Sequence, residues 1–148
     1  MIPLVLIGAI LEQQESSMSH NKKECVLLKL LFNLIEKPNA EQRSMILNSC
    51  IQFTKFVGPM YVNNHLLPEC WEQLNDKNED RRMLVAEACA ALAPYIYMEM
   101  RCSLMFSIIK QIIEQEKSDL VRLSAAKSLS LLINYLKDER KFNQVNLD

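Results

Sequence analysis

Two histidines and five cysteines are the residues of this 148-residue sequence best suited to nucleophilic or metal chemistry, and their placement supports neither. His20 lies in a polar stretch and His65 at a predicted helix start. Neither has a serine or cysteine beside it in a recognisable nucleophile motif, so both read as surface residues. Cys25, Cys50, Cys70, Cys89 and Cys102 are an odd, widely spread set with no C-x-x-C and no histidine at ligand spacing. That argues for buried free thiols in a reducing compartment rather than a disulfide framework or a zinc site. The acidic pairs Glu79-Asp80 and Asp138-Glu139 fall in turns and at helix ends, where capping and the helix dipole account for them. Glu114 and Glu116 are expected near a helix end within reach of water, with nothing to raise a carboxyl pKa for acid work. Gly8 and Gly58 stand alone, which leaves no phosphate-cradling loop. Lys22-Lys23 and Arg81-Arg82 are the densest basic spots, without aromatic interleaving, and the net charge is −1. Neither nucleic acid nor an anionic membrane is implied. The residues therefore assign no catalytic, cofactor-binding or metal-ligating position, and the chain reads as a non-enzyme without a cofactor.

The elements that carry these residues are helical. With 49% apolar and 24% charged residues the composition is that of a globular protein, and only 2 Gly and 5 Pro disfavour a β-rich or linker-rich chain. Residues 117–137, KSDLVRLSAAKSLSLLINYLK, open with the helix-capping pair Ser118 and Asp119. Ala125, Ala126, Leu129, Leu132, Ile133 and Leu136 then recur at spacings of three and four, one face of an α-helix.

This helix has two copies upstream. Arg43, Arg82 and Arg122 stand 39 and 40 residues apart. In register with them follow Ile46, Val85 and Ala125, then Leu47, Ala86 and Ala126, then the small residues Ser49, Ala88 and Ser128. Further on come Cys50, Cys89 and Leu129, and last Phe53, Leu92 and Leu132. An acidic residue precedes each arginine: Glu41, Glu79 with Asp80, and Asp119. Another apolar helix precedes each copy, over 24–36, 65–76 and 101–116. Breaks are expected at Pro38-Asn39, Gly58-Pro59, 75–78 and Lys117-Ser118. Pro68 fits a first helical turn, and Pro94 should end its helix near Ala93.

A helix–turn–helix unit with a period near 40 is the signature of HEAT and armadillo repeats. The expected architecture is all-α: an α-α superhelix, a HEAT/armadillo-like solenoid of about seven helices in antiparallel pairs. Its repeats cover approximately 22–57, 64–97 and 99–137, after a leading helix at about 2–13. The segment Ile2–Leu11 is apolar on every side and too short to span a bilayer. It lacks the basic flank of a signal peptide. As an unsuitable polar cap for a solenoid it suggests a fragment of a longer chain. The polar residues 137–148 are expected to fray or to begin a further helix.

In such a stack Arg43, Arg82 and Arg122 are expected to form a ladder with acidic residues of neighbouring repeats. Trp71 is expected in the inter-helix core, and Met45, Met60, Met83, Met98, Met100 and Met105 as adaptable core filling, with a Met-rich binding groove as the alternative. Tyr95 and Tyr97, after Pro94, are candidates for partner contact. Partners would be met along the concave face, where exposed residues of the second helices line up at the repeat spacing.

Residues 66–96, LLPECWEQLNDKNEDRRMLVAEACAALAPYI, carry a more specific likeness. With LLFNLIEKPNAEQRSMIL at 30–47, VGP at 57–59, and SDLVR followed by KSL and INYLKD downstream, the chain from about Lys23 to Lys141 resembles the C-terminal HEAT-repeat region of the RELCH family. These are proteins with a LisH motif, a coiled coil and HEAT repeats. The LisH motif and coiled coil are not in this chain, and 13–21 is longer than the family form. The resemblance implies a non-enzymatic adaptor that binds a recycling-endosome Rab GTPase and oxysterol-binding protein. It further implies a cytoplasmic protein peripheral to the recycling endosome and trans-Golgi network, which tethers the two and supports cholesterol transport without inserting into the membrane. It assigns no individual contact residue. The alternative is a HEAT-repeat scaffold of another complex, in phosphatase regulation, nuclear transport or the cytoskeleton.

Overall fold

A computed structural model of the chain describes residues 20–96 and 101–147. Among these residues there are six helices and no strand, so the chain is all-α. The expected leading helix at 2–13 lies outside the described residues, as do Tyr97, Met98 and Met100.

Helix α1, His20–Phe32, buries Leu27, Leu28, Leu31 and Phe32 completely or nearly so. Helix α2, Ala40–Val57, starts at the expected Pro38-Asn39 break. Asn39 accepts from the Gln42 backbone N–H at 2.9 Å, and the Gln42 side chain accepts from the Asn39 N–H at 2.9 Å. This reciprocal capping satisfies two N–H groups the helix cannot pair itself. Gly58 ends α2 at φ +96°, a conformation that costs a side-chain-bearing residue, and Pro59 opens the next helix at once.

Helix α3 is a rod over 59–75. Pro59–Tyr61 leads into a π-helical stretch, Val62–Leu66, then Leu67–Glu72 and a closing 3-10 turn, Gln73–Asn75. The sequence places this helix at 65–76; the structure begins it six residues earlier. Pro68 therefore sits inside a helix. A proline there has no N–H to give and crowds the carbonyl four residues back. The widened turn just before it accommodates this, with the Leu67 N–H reaching Val62 O. Trp71 does not join the core: it is 42% exposed. Leu67, Cys70 and Leu74 take the inward positions three and four apart, which turns their neighbour Trp71 outward.

Helix α4, Glu79–Leu92, ends in a 3-10 turn, Ala93–Tyr95, at Pro94. Helix α5 spans 101–115, a π-helical turn Arg101–Met105 followed by Phe106–Gln115, which buries Ile108, Ile109 and Ile112. Helix α6, Asp119–Leu147, is continuous: the polar residues after Lys137 extend it rather than starting a new helix. Packing follows chain order. The π-helical turn of α3 rests on α1, which also meets α2; α2 meets α4; α4 meets α5 and, most extensively, α6; α5 meets α6.

The aligned positions form this core. Ile46, Val85 and Ala125 are buried, as are Ser49, Ala88 and Ser128, and Phe53, Leu92 and Leu132. Ala126 and Ile133 depart from the pattern and are exposed. Of the described methionines only Met105 is fully buried; Met45 and Met60 are exposed, so packing leaves them outside the filling role expected of them.

Candidate protein-binding face

The arginine register sets the geometry of the face. Arg43 at the start of α2 donates from Nε to both Glu87 oxygens, at 3.0 and 3.2 Å, and from Nη1 to Pro38 O and Asp80. Arg82 of α4 repeats the arrangement one copy on. It grips Glu116 from Nε at 2.8 Å and Nη2 at 3.2 Å, and donates from Nη1 to Asp76 O at 2.7 Å. Each guanidinium thus ties the carbonyl of the turn before its own helix to a carboxylate of the next helix pair. Among the described residues Arg122 reaches back into its own first turn, to Asp119.

The acids placed before the arginines serve the same connections. Asp80 receives Arg43, and Glu79 receives the Ser118 hydroxyl at the head of α6. Glu116 is not the water-exposed carboxylate expected: its side chain is 9% exposed. Burial pushes its pKa up, but the bonds from Arg82 and from the Ser118 and Lys117 backbone N–H groups outweigh this and hold it below the ordinary carboxylate value.

Arg81, read from the sequence only as half of a basic spot, is 3% exposed. It donates to the carbonyls of Phe32 and Ile35 at 2.8 and 3.0 Å, and to the side-chain oxygens of Asn33 and Gln73 at 2.9 and 2.6 Å. It also lies 5.2 Å from the centroid of the Phe32 ring. One side chain thereby satisfies the open end of α1 and fastens α3 and α4 to it. The only sequence signal was its place beside the register arginine; its partners lie 8 to 49 residues away.

Between α4 and α6 runs a groove of about 450 Å³, whose lining includes the Arg43–Glu87 pair. Met83, Ala90 and Ala91 form one wall, and Leu120, Leu123 and Leu131 the other. The three leucines are 55%, 52% and 60% exposed, an unusual concentration on one helix face. Lys127 stands among them. Positions bordering the core on the second helices share the repeat spacing, exposed on α2 and α6 and partly buried on α4. Ser44, Met83 and Leu123 share one register, and Gln52, Ala91 and Leu131 another, so the face grows more apolar from α2 to α6. Met83 is the groove's one methionine, which does not make it Met-rich.

No group of this face is set up for reaction chemistry. His65 is half-buried on α3 and packs its ring 5.8 Å from that of Tyr61. Cys50, Cys70 and Cys89 are buried free thiols; burial pushes Cys50 and Cys89 up to about 12 and Cys70 well above its usual value. The side chains of His20, Cys25 and Cys102 lie outside the description. Tyr95 is half-buried, with the Lys55 ammonium 5.5 Å from its ring centroid. Among the described residues no cluster of three or more metal-binding side chains occurs, and no helix is long and apolar enough to cross a membrane.

The family model described as the N-terminal domain of the RAB11-binding protein RELCH matches residues 1–147. The chain belongs to the RELCH family. It is 46% identical over 144 residues to the RAB11-binding protein RELCH of Homo sapiens and to the RELCH homolog of Danio rerio, and 44% identical to that of Xenopus tropicalis. These alignments cover 97% of this chain but only 11% of the first relative and 12% of the other two. No solved structure matches it. The match places the chain in the N-terminal region of RELCH proteins, not the C-terminal HEAT region that the sequence suggested. The likeness over 66–96 names the family without marking where in its chain the segment stands.

Proposed function

We propose that this segment is a non-enzymatic, protein-binding scaffold of a Rab-binding adaptor, and that the α4–α6 groove is its contact surface. The single observation that carries this reading is the row of half-exposed leucines, Leu120, Leu123 and Leu131, facing Met83 and Ala91 in an open groove. Such a surface stabilises a protein contact through apolar burial and has no polar centre for catalysis. The printed names of the relatives, RAB11-binding proteins, supply the partner class, a Rab GTPase. The forward-reaching arginines support stacking as a HEAT-like solenoid, with repeats over about 22–57, 64–97 and 99–137 of one segment. The family resemblance supports the finer part of the reading. In it the protein is cytoplasmic and peripheral, joins the recycling endosome to the trans-Golgi network with oxysterol-binding protein, and assists cholesterol transport.

The test is capture of the full-length protein on an immobilised RAB11-class GTPase in its GTP-analogue and GDP states. Nucleotide-dependent capture is expected, and Leu123→Asp with Leu131→Asp should weaken it about tenfold or more, the effect of losing an interface's central apolar contacts. Capture indifferent to nucleotide overturns the GTPase reading. Nucleotide-dependent capture that the double variant leaves unchanged overturns the groove.

A further inference from the structure

The α4–α6 groove carries two polar groups that its leucines do not explain. Leu123, Lys127 and Leu131 stand four residues apart on α6, so a lysine interrupts an apolar row on one helix face. Glu87, the acid in the groove lining, is already held by Arg43. Lys127 is exposed and, among the described residues, has no ion pair. Ser124, one turn before it, is nine-tenths buried and lines the same groove. Ser49 and Ser107 give their hydrogens to the carbonyl four residues back, and Ser128 gives its own to Ala86 O. The Ser124 hydroxyl has no hydrogen-bond partner among the described residues, whereas a polar group so covered ordinarily finds one. A cation and a hydroxyl thus line the groove one turn apart, and neither has an acceptor.

The shape narrows what could supply one. Leu120 to Leu131 spans three turns of α6, about 16 Å at 1.5 Å per residue. An α-helix is about 10 Å across, too thick to sink into 450 Å³ over that length, so it would lie along the mouth and insert one face. An extended segment fits less well. α4 and α6 pair their backbone groups internally and offer it no ladder, while a helix brings its own bonds.

Resting on the proposed role of this groove, we infer that its occupant is an amphipathic α-helix of the partner protein with one aspartate or glutamate inside its apolar row. That carboxylate takes Lys127 Nζ and Ser124 Oγ together, and the apolar residues around it cover Leu123 and Leu131. Charge decides against a second copy of this face, which would bring another lysine and no free groove carboxylate.

The experiment selects displayed peptides of about four helical turns on the immobilised full-length protein. Winners should share apolar residues at helical spacing around one acid. Changing that acid to its amide, or Lys127 to Glu, should weaken a synthetic winner about tenfold or more. Placing lysine in the peptide should restore its binding to the Lys127→Glu protein. Ser124→Ala should weaken the acidic peptide more than its amide form, and Leu123→Asp should abolish capture of both, while the far-ultraviolet spectrum stays helical. Winners without an acid, winners with helix-breaking prolines, and winners indifferent to Leu123→Asp each overturn the inference. A dimer of the protein that Leu123→Asp dissociates overturns it too, since the occupant is then a second copy. Equal effects of Ser124→Ala on acid and amide overturn the part given to the serine. None of these readouts involves the GTPase, so failure here and failure of the proposed function are distinguishable.

Discussion

The Arg82 guanidinium meets both carboxylate oxygens of Glu116 from across the α4–α5 boundary, with Nε and Nη2 at 2.8 and 3.2 Å. The pair is largely sheltered, at 19% and 9% side-chain exposure, and the same carboxylate receives the backbone N–H groups of Lys117 and Ser118 before α6. Glu116 therefore joins the end of α5, the start of α6 and the flank of α4 in one group.

Glu116→Gln should lower stability by about 2 kcal/mol in urea unfolding at neutral pH, the usual cost of losing charge-assisted bonds at a partly sheltered site. The same carboxylate makes a pH prediction. Its folded pKa lies below the unfolded value of 4.5. Its contribution is thus complete above that value and fades as pH falls through the lower folded one. Unfolding midpoints from pH 7 down to pH 3 should drop less steeply for Glu116→Gln than for the parent chain.

Arg81→Ala should be among the most destabilising single changes, at about 3 kcal/mol or more. It leaves the carbonyls of Phe32 and Ile35 and the buried Gln73 side-chain oxygen without this donor, while the exposed Asn33 keeps its bond from Gln73. Arg81→Lys should recover little of this, because an ammonium cannot span four acceptors that a planar fork reaches. Urea unfolding of both variants measures the difference.

Cys50, Cys70 and Cys89 should resist thiol reagents in the native protein at pH 8. They are both covered and held as thiols, since burial pushes Cys50 and Cys89 up to about 12. Peptide mapping after a labelling pulse should find these three modified only when urea unfolds the chain.

Gly58→Ala should cost about 1 to 3 kcal/mol although nothing stands within 4 Å of the position a Cβ would take. The penalty comes from the backbone, at φ +96° and ψ 167°, a region that residues other than glycine rarely occupy. A thermal melt of the variant checks this, and a neutral result would show that the α2–α3 corner can relax.

The repeat register was legible because it is local and periodic. Arg43, Arg82 and the apolar positions after them needed only a count near 40 to be found, and their burial follows the count. The two ladder arginines were equally legible, since an acid precedes each copy. Arg81 was not, because its role depends on the end of a helix 46 to 49 residues earlier. Trp71 was misplaced because residue type outweighed position: beside inward-facing Cys70 it points to solvent, however large its ring. The π-helical turn before Pro68 was hidden for the opposite reason. The sequence announces a proline, and a proline at a helix start and a proline inside a widened turn look alike until neighbouring carbonyls are seen. The groove was visible only as an expectation about second helices. Its apolar bias towards α6 emerges from which leucines the core leaves outside.

The ladder has a direction, and that direction meets the order in which a chain is made. Synthesis delivers the N-terminal part first. When Arg43 leaves the ribosome, Asp80 and Glu87 have yet to emerge, and Arg82 likewise precedes Glu116 by 34 residues. Each newborn helix pair holds an unmatched cation until its successor arrives. Ordering of the nascent chain is therefore expected to advance in steps, every pair locked by the one made after it.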